Sequence, residues 1–243
     1  MAYDDPPEIP ILLLGDSGVG KSTFLSYVSH TPPPYLHPPL HSTSSPPLLT
    51  SLFHYSRLTL GNNALHASSK PLPTLHDLNQ PFPFNISLYA RKYRFEFSDT
   101  ASPTHYTLLR PAVIILCYSI ASPESLSSLK TNWKSVVEGH FNYDEEIPVI
   151  VLGLQRDVRE KEDYDGLVRT GVGRDGRGRG GRDIVYPQEA LRMAQEMRCD
   201  RYCECSALTG ELCREVFEDI AKTAAMTTTA GGGKTRGMEC VMM

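Results

Sequence analysis

The sequence predicts an α/β fold with a mostly parallel sheet, and three observations carry that prediction. The apolar run Ile11-Leu12-Leu13-Leu14 leads into a glycine-rich turn and then a stretch able to form a helix. Two more apolar runs, Ala112 to Ser119 and Ile147 to Gly153, lack polar alternation, the pattern of strands covered on both faces. Helix-forming segments separate these runs, and alternation of strand with helix favours parallel pairing.

Taken in order, Ile9 to Leu14 reads as the first strand and Lys21 to about Ser29 as the first helix, stopped by Pro32-Pro33-Pro34. Phe84 to Tyr89 and Tyr93 to Phe97 alternate around a short turn, a hairpin pattern. The strand 112–119 is followed by a helix opened at Ser122-Pro123-Glu124 and reaching about Gly139, then by the strand 147–153. Pro187 sits near the first turn of another helix, Arg201 to Cys205 is a last short strand, and Gly210 to about Ala225 a last amphipathic helix. That makes six strands flanked by helices. Leu48 to Leu60 is apolar enough to pack, but its period does not choose between helix and strand. The tail from Met226 is rich in Thr and Gly, which favours flexibility.

A chain of 243 residues suits one domain with insertions. Residues 1–225 form that domain, with a Pro/Ser/His-rich insertion at 31–72, a Gly/Arg-rich one at 165–183, and a tail at 226–243. The net charge of −4 gives no global attraction to nucleic acid, so no DNA partner is expected, and a monomer is. No stretch is apolar enough to span a bilayer, and the N-terminus lacks the pattern of a signal peptide. A cytoplasmic setting follows, with the six cysteines reduced and serving as packing residues. Among the histidines only His37 and His41 share a ligand spacing, and nothing nearby completes a metal site.

Gly15-Asp16-Ser17-Gly18-Val19-Gly20-Lys21-Ser22 matches the phosphate-binding loop in full, with Thr23 following. Its glycines allow successive backbone N–H groups to converge on one anion, and the helix start adds its own unpaired N–H groups. Lys21 is expected on the β- and γ-phosphates, and the Ser22 hydroxyl on Mg²⁺. Asp99, closing a buried strand beside that loop, is the second candidate for Mg²⁺.

The order Asp99-Thr100-Ala101, Leu109-Arg110-Pro111, Cys117-Tyr118-Ser119-Ile120, Ser122-Pro123-Glu124-Ser125, Trp133, Gly153, Asp157 and Glu204-Cys205-Ser206-Ala207-Leu208-Thr209 resembles a Ras-superfamily small GTPase, nearest to its Rho branch. The phosphate loop itself is more similar to the Rab branch. The resemblance covers residues 8–30 and about 73–225. It implies the P-loop NTPase small-GTPase fold (the G-domain), GTP/GDP and Mg²⁺ as cofactors, and exchange factors and effectors as partners. It also assigns Asp157 to guanine N1 and N2, and Ser206 with Ala207 to the loop whose backbone N–H groups reach guanine O6. Thr74, in Pro73-Thr74, matches the first-switch threonine that binds Mg²⁺ and meets the γ-phosphate, although Thr43, Thr50 and Thr59 compete with it.

The chain also departs from that pattern. Ser102 stands where the family has the second-switch glycine whose N–H meets the γ-phosphate, and Pro103 where it has the water-orienting glutamine. Pro103 has no side-chain donor or acceptor, so GTP hydrolysis is expected to be slow. No residue is a certain catalytic group. At the base, Leu154-Gln155 replaces Asn/Thr-Lys, and the shorter, neutral Gln155 should lower affinity while Asp157 keeps the preference for guanine. The alternative reading is a pseudo-GTPase scaffold that no longer switches. An adenine-nucleotide enzyme is disfavoured by Asp157 and Ser206-Ala207.

Pro32 to Pro34, Pro38-Pro39 and Pro46-Pro47 favour polyproline II and offer a ligand for SH3- or WW-type modules, against the plainer reading of a spacer. Arg174, Arg177, Arg179 and Arg182 lie among glycines that oppose a stable helix, which reads as a solvated loop. The ending Cys240-Val241-Met242-Met243 fits a CaaX-type prenylation signal, with Cys240 as the lipidated residue. One lipid anchors marginally, so reversible attachment to the cytosolic face of a membrane, the plasma membrane by preference, is expected.

Overall fold

The computed structural model describes residues 5–30, 80–88, 91–99, 106–143, 145–159, 184–229 and 241–242. Strand β1 (Glu8–Leu14) runs into the glycine-rich turn and helix α1 (Lys21–His30). Next come β2 (Phe82–Leu88), β3 (Arg91–Asp99) and β4 (Val113–Ser119). One continuous helical segment follows: α2 (Pro123–Ser128), a π-helical turn (Leu129–Trp133) and α3 (Lys134–His140). The chain continues through β5 (Val149–Leu154), α4 (Pro187–Glu196), β6 (Arg201–Glu204), α5 (Cys213–Thr227) and β7 (Val241–Met242).

The sheet order is β2-β3-β1-β4-β5-β6-β7. Only β2 and β3 pair antiparallel, as the alternating hairpin required; the remaining pairs are parallel. The six strands read from the sequence are all present. The tail differs from expectation: α5 extends to Thr227, and Val241 and Met242 add a two-residue edge strand opposite Arg201 and Tyr202. Without β7, strand β6 would end the sheet with unpaired backbone groups, which an extended segment of any sequence with free N–H groups satisfies, so tail composition does not reveal the pairing.

Both sheet faces are covered. From β1, Ile9, Ile11 and Leu13 join a core with α1 and α5, where Phe84, Phe97 and Phe217 pack ring against ring. Leu12 and Leu14 point into the opposite core, with Trp133, Val137 and α4. Each such fully buried leucine is worth about 1.5–3 kcal/mol over an exposed one. Cys117, Cys199, Cys203, Cys205 and Cys213 are buried free thiols. Burial pushes the Cys117 thiol up to about 12, which suits packing and not reactivity.

Strand β1 lies between β3 and β4: the chain passes from β1 to β2 and β3 on one side, then from β3 across to β4 on the other. The crevice beyond the carboxyl end of such a strand is where open α/β sheets bind ligands. The turn Gly15 to Gly20 fills that position.

Candidate nucleotide site

Gly15 opens the turn at a φ of 147°, with β4 so near that a Cβ would lie 2.2 Å from the Cys117 carbonyl oxygen. Only glycine fits there. Lys21 is buried, and its Nζ donates to the carbonyls of Gly15 and Asp16, both at 2.9 Å, and stands 3.9 Å from Asp99 Oδ1. The ammonium is thus held over the mouth of the turn by the turn's own backbone.

Ser22, next on α1, donates through Oγ to Asp99 Oδ2 at 2.5 Å. Asp99 closes β3, and its peptide is clamped by Gln80: Gln80 Oε1 accepts from the Asp99 N–H at 2.9 Å, and Gln80 Nε2 donates to the Asp99 carbonyl at 2.7 Å. Ser22 and Asp99 form a hard oxygen donor set, which fits Mg²⁺ shared with a ligand's phosphates. The other residues assigned to this end, Thr74 and Ser102, and Pro103 beside them, lie outside the described residues, as do Cys240 and the insertions 31–72 and 165–183.

The base-end residues converge. A cleft of about 270 Å³ is lined by Gly20 and Thr23 from the turn and α1, by Gln155 and Asp157 after β5, and by Ala207 and Leu208 after β6. Asp157 is buried and its Oδ1 accepts from Ser206 Oγ at 2.6 Å. Ser206 and Ala207 are placed differently. The Ser206 N–H is committed to the Glu211 carbonyl at 3.0 Å, so Ser206 acts on the site through Asp157, and Ala207 lines the cleft itself.

Gln155 occupies the left-handed region, at a φ of 64°. Its Oε1 accepts from Ser119 Oγ at 2.6 Å, and its Nε2 makes a long contact of 3.5 Å with the Gly18 carbonyl. The shorter side chain therefore still reaches the phosphate loop, and Ser119 holds the amide that does so.

A charged network around Glu204, at the end of β6, has members that sequence reasoning left without a role. Glu204 accepts from Arg159 and from the hydroxyls of Tyr118 and Tyr202. Burial opposes the Arg159 charge, but the hydrogen bond and negative charge of Glu204 outweigh it, so its pKa ends above the ordinary value. Burial first pushes both tyrosines upward, reinforced at Tyr118 by Tyr202 and Glu204 and at Tyr202 by Glu204, while the Tyr118 hydroxyl acts on Tyr202 in the opposite direction. Arg156 pairs with Glu211 and its N–H donates to the Cys205 carbonyl, fastening the loop after β5 to the loop after β6.

The model of the Ras family matches residues 74–226, more than half of the chain. The chain belongs to the Ras family. Within it, the similarity runs to the Rho branch. The GTP-binding protein RHO1 of Saccharomyces cerevisiae is 27% identical over 158 residues, 63% of this chain and 70% of the relative. RHO1 of Eremothecium gossypii is 27% identical over 182 residues (71% and 81%), and that of Candida albicans 27% over 165 (65% and 76%). The family and the G-domain fold agree with the expectation drawn from Asp99, Asp157 and the Glu204 to Thr209 stretch. In this Ras-family chain Gly20 and Thr23 share one cleft with Asp157, and Ser22, between them in sequence, is bonded to Asp99.

Proposed function

We propose that the chain binds GTP and GDP with Mg²⁺ as a Rho-like signalling protein and hydrolyses GTP slowly. One observation carries this reading: a single cleft joins Gly20 and Thr23, which flank Lys21 and Ser22 in sequence, to Gln155, Asp157 and Ala207, so one bound molecule could meet both groups at once. Lys21 would bind the phosphates, Ser22, Asp99 and Thr74 the Mg²⁺, Asp157 guanine N1 and N2, and the Ala207 N–H guanine O6. Mg²⁺ supplies charge neutralisation for the phosphates; the chain's part is to orient them against the Gly15 to Gly20 amides. Slow turnover rests on Ser102 and Pro103, since Pro103 offers nothing to orient water.

Residues 1–225 act as one nucleotide-binding unit, with reversible membrane attachment through lipidated Cys240, and with exchange factors and effectors as partners. No helix among the described residues is long and apolar enough to cross a membrane. The second reading, a scaffold that has lost switching, is favoured by Pro103 and Leu154. Titration with a fluorescent GDP in Mg²⁺, paired with Lys21→Ala, separates the two. Saturable binding lost in K21A supports the switch; no binding at millimolar nucleotide supports the scaffold. Single-turnover phosphate release equal to that of an ordinary Ras-type protein would overturn slow hydrolysis.

A further inference from the structure

Asp16 places a carboxylate inside the turn that is read here as the phosphate cradle, and the structure gives that charge two donors on one oxygen. Ser128 Oγ and Trp133 Nε1 each donate to Asp16 Oδ1 at 2.8 Å. Asn132 Nδ2 in turn donates to Ser128 Oγ at 3.1 Å, which orients the hydroxyl. The two donors are five residues apart. On an α-helix that spacing puts them about 140° apart around the axis, too far to share one acceptor. The helix solves this locally. Leu129–Trp133 is π-helical, and the Lys134 N–H returns to the Leu129 carbonyl, five residues back. Stacking at a spacing of five brings Ser128 and Trp133 to the same face, and such turns gather at functional sites.

We propose that Ser128 and Trp133 are positioning residues that hold the Asp16 carboxylate away from the nucleotide's phosphates and so set how long the nucleotide stays bound. The inference rests on the guanine-nucleotide reading above. Asp16 is also one of the two carbonyls that hold Lys21 Nζ, so the clamp steadies the residue that aims the phosphate lysine. The Trp133 ring is fixed in turn by burial and by an edge-on contact with Tyr106, at 6.3 Å between centroids.

The test is a cycle of dissociation rates for fluorescent GDP in the full-length protein. Trp133→Phe keeps an aromatic ring against Tyr106 but removes the N–H. It is expected to speed release about tenfold, the scale of a hydrogen bond to a charged group. In an Asp16→Ala background no carboxylate remains to be held, and W133F should then change the rate less than twofold. Ser128→Ala, expected to speed release about threefold and to lose that effect in D16A, serves if W133F fails to fold. Equal acceleration in both backgrounds would show that Trp133 only packs, and would overturn the clamp. An unchanged rate in W133F or S128A would overturn it as well. Absence of nucleotide binding by the unmodified protein would instead overturn the underlying reading, and the clamp with it.

Discussion

The Ser22 hydroxyl donates to Asp99 Oδ2 at 2.5 Å, joining the first turn of α1 to the end of β3 across 77 residues of chain. Their oxygens converge because β1 and β3 are hydrogen-bonded neighbours with Leu13 opposite Asp99, so both strands deliver their carboxyl ends to the same crevice. Lys21 Nζ, 3.9 Å from the other Asp99 oxygen, completes the group.

Asp99→Ala is expected to leave nucleotide release nearly insensitive to Mg²⁺, because half of the oxygen pair is gone. The check is the dissociation rate of fluorescent GDP in Mg²⁺ and in excess chelator. In the unmodified protein chelation should speed release strongly; an equal Mg²⁺ effect in D99A would reject the assignment of the metal to Asp99.

Ser119→Ala should release guanine nucleotide about fivefold faster, the scale of one neutral hydrogen bond. Ser119 holds Gln155 Oε1 at 2.6 Å, and Gln155 is the base-end residue that reaches Gly18. Stopped-flow dissociation reads this directly, and Gln155→Ala should reproduce most of the effect without adding to S119A.

Gly15→Ala should destabilise the fold by about 1–3 kcal/mol, the usual cost of overpacking. Its methyl would lie 2.2 Å from a β4 carbonyl, which cannot rotate away as a side-chain tip does. Urea unfolding monitored by circular dichroism measures the loss; a midpoint within error of the unmodified protein's would contradict the crowding at this position.

The Glu204 network predicts an alkaline weakness. Tyr118 and Tyr202 keep their protons to higher pH in the folded chain than in the unfolded one, mainly through burial. Their stabilising contribution is therefore complete below about pH 10, the ordinary phenol value, and is lost as pH rises from there toward the folded values. Each such group steepens the fall by at most about 1.4 kcal/mol per pH unit. Tyr118→Phe should flatten the stability curve above pH 10, and parallel curves for the two proteins would refute the role of Tyr118.

Much of this was legible in the chain itself, for identifiable reasons. The turn from Gly15 to Ser22 is contiguous, so its spacing alone carries the phosphate chemistry. The runs 112–119 and 147–153 are apolar without alternation because both sheet faces are covered there. Asp157 and Ser206 were readable only through the family pattern, since 49 residues separate them. What stayed hidden were partners set by tertiary register. Gln80 lies just beyond the long insertion, with no local signal that its amide brackets the Asp99 peptide. Ser128 looks like an ordinary polar helix residue, and no hydrophobic period announces a π turn that brings it level with Trp133. The support of Gln155 is hidden in the same way, because the Ser119 hydroxyl that holds its amide lies 36 residues away.

The measurement that bears most directly on the central claim is competition for the Asp157 cleft between bases. Fluorescent GDP bound to the protein in Mg²⁺ is displaced by unlabelled GDP or ADP, for the unmodified chain and for Asp157→Ala. A pocket in which Asp157 faces guanine N1 and N2 predicts GDP displacing at concentrations at least about a hundredfold below ADP, the scale of two hydrogen bonds to a charged group, with D157A losing most of that gap. Equal displacement by ADP and GDP in the unmodified protein, or a gap that survives D157A, would contradict it.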